Sequence, residues 1–93
     1  DFSKTEDFSF RDQIKRAAVS VSNNIAEGAE RSTATEFSRF LDIAKGSTGE
    51  VRSMYRLAQR LKLVSPEIVE QRVKLCIEIS KQLAGFAKYL RKQ

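Results

Sequence analysis

Two sets of basic residues recur at helical spacing, and the chemistry open to them is the capture of anions. Lys45, Arg52, Arg56 and Arg60 are separated by seven, four and four positions. At 100° per residue they fall within about 80° of one another on a helix. Lys74, Lys81 and Lys88 recur every seven positions, which also places them on one side. Arg91 and Lys92 prolong the positive charge at a C-terminus, where the helix dipole favours it in any case. Guanidinium and ammonium groups in such rows can follow a phosphate backbone, with an affinity that falls steeply with salt. The competing reading is a solvated outer face. Against it, the first set has only Gly49, Ser53 and Gln59 nearby and no glutamate one turn further on, so little local charge offsets it. Base-specific readout is not implied, because Phe37, Phe40 and Phe86 fall at core positions. Tyr89 and Tyr55 are the aromatic residues left to stack near the rows.

Catalytic chemistry finds no support. The chain has no histidine, which removes the usual general base and the commonest zinc ligand. Cys76 lies among apolar positions and reads as a buried structural thiol, not a nucleophile. Glu27, Glu30, Glu36 and Glu50 occupy three separate local settings, with no E-x-x-H motif to gather them round a metal. No Walker loop, dinucleotide-binding glycine loop or nucleophile elbow occurs. The expectation is therefore no catalytic residue, no metal and no cofactor. Glu50 has a different use. It projects toward the edge of the core face of its helix, where an unpaired carboxylate is costly. Arg16 and Asn24 are its expected partners, in a structural polar cluster joining two helices.

The elements that must position these residues are three helices. Phe10, Ile14, Ala17, Val21 and Ile25 line one side of a first helix over about Phe10 to Glu27. Gly28 follows as a C-cap able to take the left-handed conformation, and Val19 and Ala26 face away from the stripe. Thr33 and Glu36 have the spacing of a capping box. A second helix runs from there to about Leu61, with Phe37, Phe40, Ala44, Val51, Met54, Ala58 and Leu61 at near three-four alternation. Gly46 and Gly49 lie inside it, each costing about 1 kcal/mol relative to alanine; close approach by a neighbour and simple tolerance stand equally open. Ser65 followed by Pro66 opens a third helix, reaching about Leu90. Val69, Val73, Cys76, Ser80, Leu83, Ala87 and Leu90 form its stripe, flanked by Ile68, Leu75, Ile79 and Phe86. That apolar arc spans about 160–200° by the 100° rule, more than one neighbouring helix covers. Short loops make successive helices antiparallel. The expected fold is all-α: an antiparallel up-down bundle of three helices in one domain spanning residues 1–93.

Composition agrees. Ninety-three residues with 41% hydrophobic content, one proline and four glycines exclude disorder and cannot house two cores. Residues 1–44 carry six Lys/Arg against eight Asp/Glu, and residues 45–93 carry eleven against four. The second half thus holds all of the excess positive charge, which favours anionic partners. One cysteine excludes an internal disulfide and fits a reducing compartment. No apolar run approaches the ~20 residues that span a bilayer, so a cytoplasmic protein without a membrane partner is expected.

The run from Gln13 to Gly28 (QIKRAAVSVSNNIAEG), the run from Glu36 to Ser47 (EFSRFLDIAKGS) and the Glu50 after it resemble a bacterial family signature. It is that of the four-helix bundle proteins encoded in intervening sequences of large-subunit ribosomal RNA genes, a family that includes accessory proteins of diversity-generating retroelements. The similarity is strong over about residues 8–65 and continues through the third helix by pattern. It implies a four-helix bundle, a ring-like homopentamer and no enzymatic activity. For the retroelement members it implies association with nucleic acid and with a reverse transcriptase. Ser22 stands where family members often carry proline, and the additional N-terminal helix of the family is expected to be missing from this chain. The functional expectation is a non-enzymatic homo-oligomeric bundle that binds RNA or DNA through its outer basic surface. The alternative is an interaction scaffold for a polymerase or ribonucleoprotein partner, or a mobile-element passenger of unassigned function.

Overall fold

The computed structural model describes residues 8–93. Three helices follow one another along the chain: α1 (Phe8–Ala29), α2 (Ala34–Arg60) and α3 (Pro66–Arg91). The starts of α2 and α3 obey their local chemistry. The Thr33 hydroxyl oxygen accepts from the Glu36 backbone N–H at 3.1 Å, and Ser65 Oγ accepts from the Ile68 N–H at 3.4 Å. Both satisfy donors that an uncapped helix leaves orphaned, and Pro66 occupies a first-turn position that needs no N–H.

The helix ends differ from expectation in one instructive place. Gly28 is not a left-handed cap: α1 continues through it to Ala29, and no glycine has positive φ among the described residues. The reason is contact. A Cβ at Gly28 would lie 2.7 Å from Phe40 Cβ and 2.8 Å from Phe37 Cδ1, so the missing side chain lets α1 close onto α2. The left-handed residue is instead Lys62, at φ 60°. It ends α2 in a Schellman turn, with Leu63 N–H donating to Ala58 C=O at 2.9 Å and Lys62 N–H to Gln59 C=O at 3.0 Å. Gly46 and Gly49 have open space where a Cβ would stand, so tolerance is the right reading for both.

α2 is the central element. α1 and α3 pack on it from two sides, antiparallel to it, and their backbones do not approach one another. The apolar stripes meet in two clusters. One joins Ile14 and Ala17 with Val51, Met54, Tyr55, Ala58, Val69, Val73 and Cys76; the other joins Leu41, Ala44, Leu83 and Ala87. Phe37 and Phe86 meet edge to face at 5.2 Å. Leu61 belongs to neither, being 54% exposed at the cap. In its place α2 buries Ser38, Leu41, Thr48 and Tyr55. The two hydroxyls go inside because each bonds its own helix: Ser38 Oγ donates to Thr35 C=O at 2.7 Å, and Thr48 Oγ1 to Ala44 C=O at 3.0 Å.

The assembly measures 46 × 21 × 13 Å, so along its shortest axis it is little thicker than one helix of about 10–12 Å. This layer bends around α2. On the concave side an apolar groove of about 240 Å³ runs between Ile14 and Val21 of α1 and Leu75 and Ile79 of α3. It continues into a cleft of about 460 Å³ beside Ile25, Leu41 and Phe86. Leu75 and Phe86, on the flank of the wide apolar arc, are 53% and 42% exposed there. The three helices expected of this chain are present among the described residues, and the four-helix bundle is what the family resemblance implies. What it says of an additional N-terminal helix lies outside them.

Candidate nucleic-acid interface

The seven cations singled out by spacing are all exposed, but the structure treats them unequally. Arg56 reaches across from α2 to α3, its Nη1 donating to Glu70 Oε1 at 2.5 Å. It lines an open cleft of about 490 Å³ together with Lys74, Lys81, Glu70 and Glu78. The two rows thus converge at this point, where two carboxylates offset much of the charge. Near the other end Arg91 pairs with Asp42, again from α3 to α2. These two cross-helix pairs accord with the antiparallel register in which the apolar stripes meet. Lys45 stands one turn along α2 from Asp42, and Lys88 one turn along α3 from Arg91, so both flank that second pair.

Lys45, Arg52, Arg60, Lys74, Lys81 and Lys88 form no ion pair among the described residues. Exposed pairs such as Arg56–Glu70 contribute under ~1 kcal/mol to stability. Their larger consequence is to withdraw Arg56 and Arg91 from the charge available to a ligand. Glu70 is the residue that spacing on α2 alone misses, since it lies beyond the turn on the neighbouring helix. A hairpin register drawn across the 62–65 loop would have found it.

Arg52 also lies close enough to Cys76 to matter. The Cys76 thiol is buried and free, and burial raises its pKa while the Arg52 guanidinium partly opposes the rise. Burial and the raised pKa both disfavour the thiolate, the form in which a cysteine acts as a nucleophile. Tyr55 is buried in the core, leaving Tyr89, at 59% exposure, as the aromatic residue of the pair open to solvent.

The expected polar cluster of Arg16, Asn24 and Glu50 does not form. Arg16 is exposed and bonds Asp12 of its own helix at 3.1 Å. Glu50 points to solvent from the convex back of α2, so no buried carboxylate needs a partner. Asn24 Nδ2 donates to Ser20 C=O at 2.8 Å and to Ser20 Oγ at 3.1 Å. Ser20 Oγ in turn meets Ser47 Oγ at 2.9 Å. The polar link between α1 and α2 is therefore Asn24–Ser20–Ser47. Spacing could not find it, because a pair of serines is a common surface feature until two helices juxtapose them. Among the described residues no cluster of His, Cys, Asp or Glu could hold a metal ion, and no helix is long and apolar enough to cross a membrane.

The family model of the 23S rRNA-intervening sequence protein matches residues 1–85, which takes in α1, α2 and most of α3. The comparison with curated proteins gives no match.

Proposed function

We propose, for a chain that belongs to the family of 23S rRNA-intervening sequence proteins, a non-catalytic role: a self-associating helical module that binds RNA or DNA through the shared face of α2 and α3. One observation carries the reading. Six exposed cations, Lys45, Arg52, Arg60, Lys74, Lys81 and Lys88, stand on two adjacent antiparallel helices with no carboxylate paired to them among the described residues. Such a surface recognises a polyanion by charge. It does not read bases, because its partly buried and buried aromatics (Phe37, Phe40, Tyr55) serve the core.

Self-association has separate support. The concave apolar groove is a surface that water disfavours.

The test reverses charge without touching the Arg56–Glu70 pair. A triple variant Arg52→Glu, Arg60→Glu and Lys81→Glu is compared with Lys15→Glu, Arg16→Glu on the outside of α1. Fluorescence anisotropy with labelled RNA and DNA of arbitrary sequence at low salt reads the result. A loss of affinity exceeding 100-fold in the triple variant, against a few-fold change in the control, is expected. Equal losses in the two variants, or no binding by the parent chain, overturn the reading. A triple variant that keeps its nucleic-acid affinity but no longer captures a protein partner favours the scaffold alternative.

A further inference from the structure

The open cleft along α3 holds a residue whose place there charge alone does not explain. Ile77 is 38% exposed in it, and the buried Val73 lies one turn away on the same floor. Lys74 and Lys81 stand three positions before Ile77 and four positions after it, and Arg56 comes across from α2. At 1.5 Å per residue the two lysines are about 10 Å apart along the helix. Arg52 reaches the same level, since its guanidinium acts on Cys76, the chain neighbour of Ile77. Glu70 and Glu78 border the cleft as well. Glu70 is held by Arg56, and Glu78 stands one turn from each lysine. The cleft is thus an apolar floor with cations on either side of it along α3.

Two forms of nucleic acid offer this cleft different things. In a duplex the bases are stacked and paired, so their faces are closed to Ile77. Each backbone of a duplex also winds about its axis, and meets a straight row of cations only where it crosses that row. An unpaired strand can follow the row. It can also turn a base face onto the apolar floor while the phosphates on either side of that base reach Lys74 and Lys81. Burying the exposed part of Ile77 under a base removes apolar surface from water, a gain that a duplex cannot supply. Every base has such a face, so the contact is indifferent to sequence.

We infer that the α2–α3 interface takes an unpaired polynucleotide strand in preference to a duplex, with a base lying on Ile77 between phosphates held by Lys74 and Lys81. The inference rests on the nucleic-acid reading proposed above and names the form of nucleic acid which that surface selects. Ribose and deoxyribose strands share the two features used, a phosphate chain and free base faces.

Fluorescence anisotropy at a fixed low salt concentration separates base contact from charge. The labelled probes are oligothymidylate, oligouridylate, a DNA duplex and an abasic deoxyribose-phosphate strand, each of about 12 nucleotides or pairs. The parent chain is expected to bind the two base-bearing strands about tenfold more tightly than the duplex. Ile77→Gln is a neutral change to a good helix former at an exposed position, so the melting temperature is expected to stay at the parent's value. It is expected to weaken the two base-bearing strands about fivefold and to leave duplex and abasic binding unchanged. Ile77→Tyr is expected to tighten those two strands alone, by stacking. Glu78→Gln, which changes only charge, is expected to tighten all four probes alike. Binding confined to one of the two base-bearing strands supports the inference and identifies the sugar. Duplex binding as tight as strand binding, or an Ile77→Gln variant that keeps the parent's preference, overturns the inference. If the triple charge reversal still abolishes binding in that case, the reading beneath it stands. A parent chain that binds none of the probes overturns both.

Discussion

At the scale of single residues, two backbone positions decide how the helices end and meet. Gly28 works by absence, because Phe37 and Phe40 occupy the space its side chain would need. Gly28→Ala must push the Phe40 Cβ, which is tied to the backbone of α2, and is expected to cost about 1–3 kcal/mol as an overpacked contact. Lys62 is the reverse case, a residue with a Cβ held at φ 60°. Lys62→Gly relieves a left-handed strain of roughly 1–2 kcal/mol and loses part of it to a freer unfolded chain. A net gain of about 0.5–1 kcal/mol is expected. Chemical denaturation of the two variants beside the parent gives both values, and a destabilised Lys62→Gly would show that its side chain contributes something the turn geometry does not. The same contrast explains which glycine reading sequence could support. Gly followed by a polar loop is the usual pattern of a C-cap, whereas the phenylalanines that claim Gly28 lie nine and twelve positions further on and reach it only after the chain turns.

At the scale of elements, α2 and α3 begin where their caps dictate, and the helices persist because of packing. Thr33 and Ser65 each satisfy an orphan N–H, so Thr33→Ala and Ser65→Ala should each lower stability by about 1 kcal/mol. Gly49 and Gly85 lie within α2 and α3 with open space beside them. Gly49→Ala and Gly85→Ala should each raise stability by up to about 1 kcal/mol through helix propensity. Thermal melts of the four variants check both signs. These elements were legible because capping and three-four periodicity are local properties. Five of the seven residues of the α3 stripe, Val69, Val73, Cys76, Leu83 and Ala87, are buried, while Ser80 and Leu90 are only partly so. The stripe of α2 was legible only in part. As the middle helix it is covered from two sides, so Ser38 and Thr48 are carried inside with their hydroxyls bonded to its own backbone, while Leu61 falls beyond the last turn into solvent.

At the scale of the whole molecule, shape and charge act together. A bent layer of three helices has a concave apolar side and a convex side, and the free cations border the convex one along α2 and α3. If all six unpaired cations engage phosphates, the logarithm of the binding constant should fall with the logarithm of salt concentration with a slope of about −5 on duplexes and −4 on single strands. A salt titration of binding measures the slope directly. A value near zero would remove the electrostatic basis of the proposed interface. A value of about −6 on duplexes would mean that Arg56 leaves Glu70 to join the others.

The amino-acid sequence alone determined that this chain is helical, where α2 and α3 begin, most of the residues of α3 that face inward, and which cations crowd its second half. Those properties follow from the 3.6-residue repeat, from caps that act within one turn, and from summed charge, none of which needs a neighbour. Tertiary structure alone decided what the neighbours do. Arg56 and Arg91 are engaged by carboxylates of an adjacent helix, Glu50 turns to solvent and leaves Arg16 to Asp12, and Ser20 finds Ser47. Ion pairs and close contacts depend on distances between segments far apart in the chain, and those distances exist only once α1 and α3 have closed onto α2.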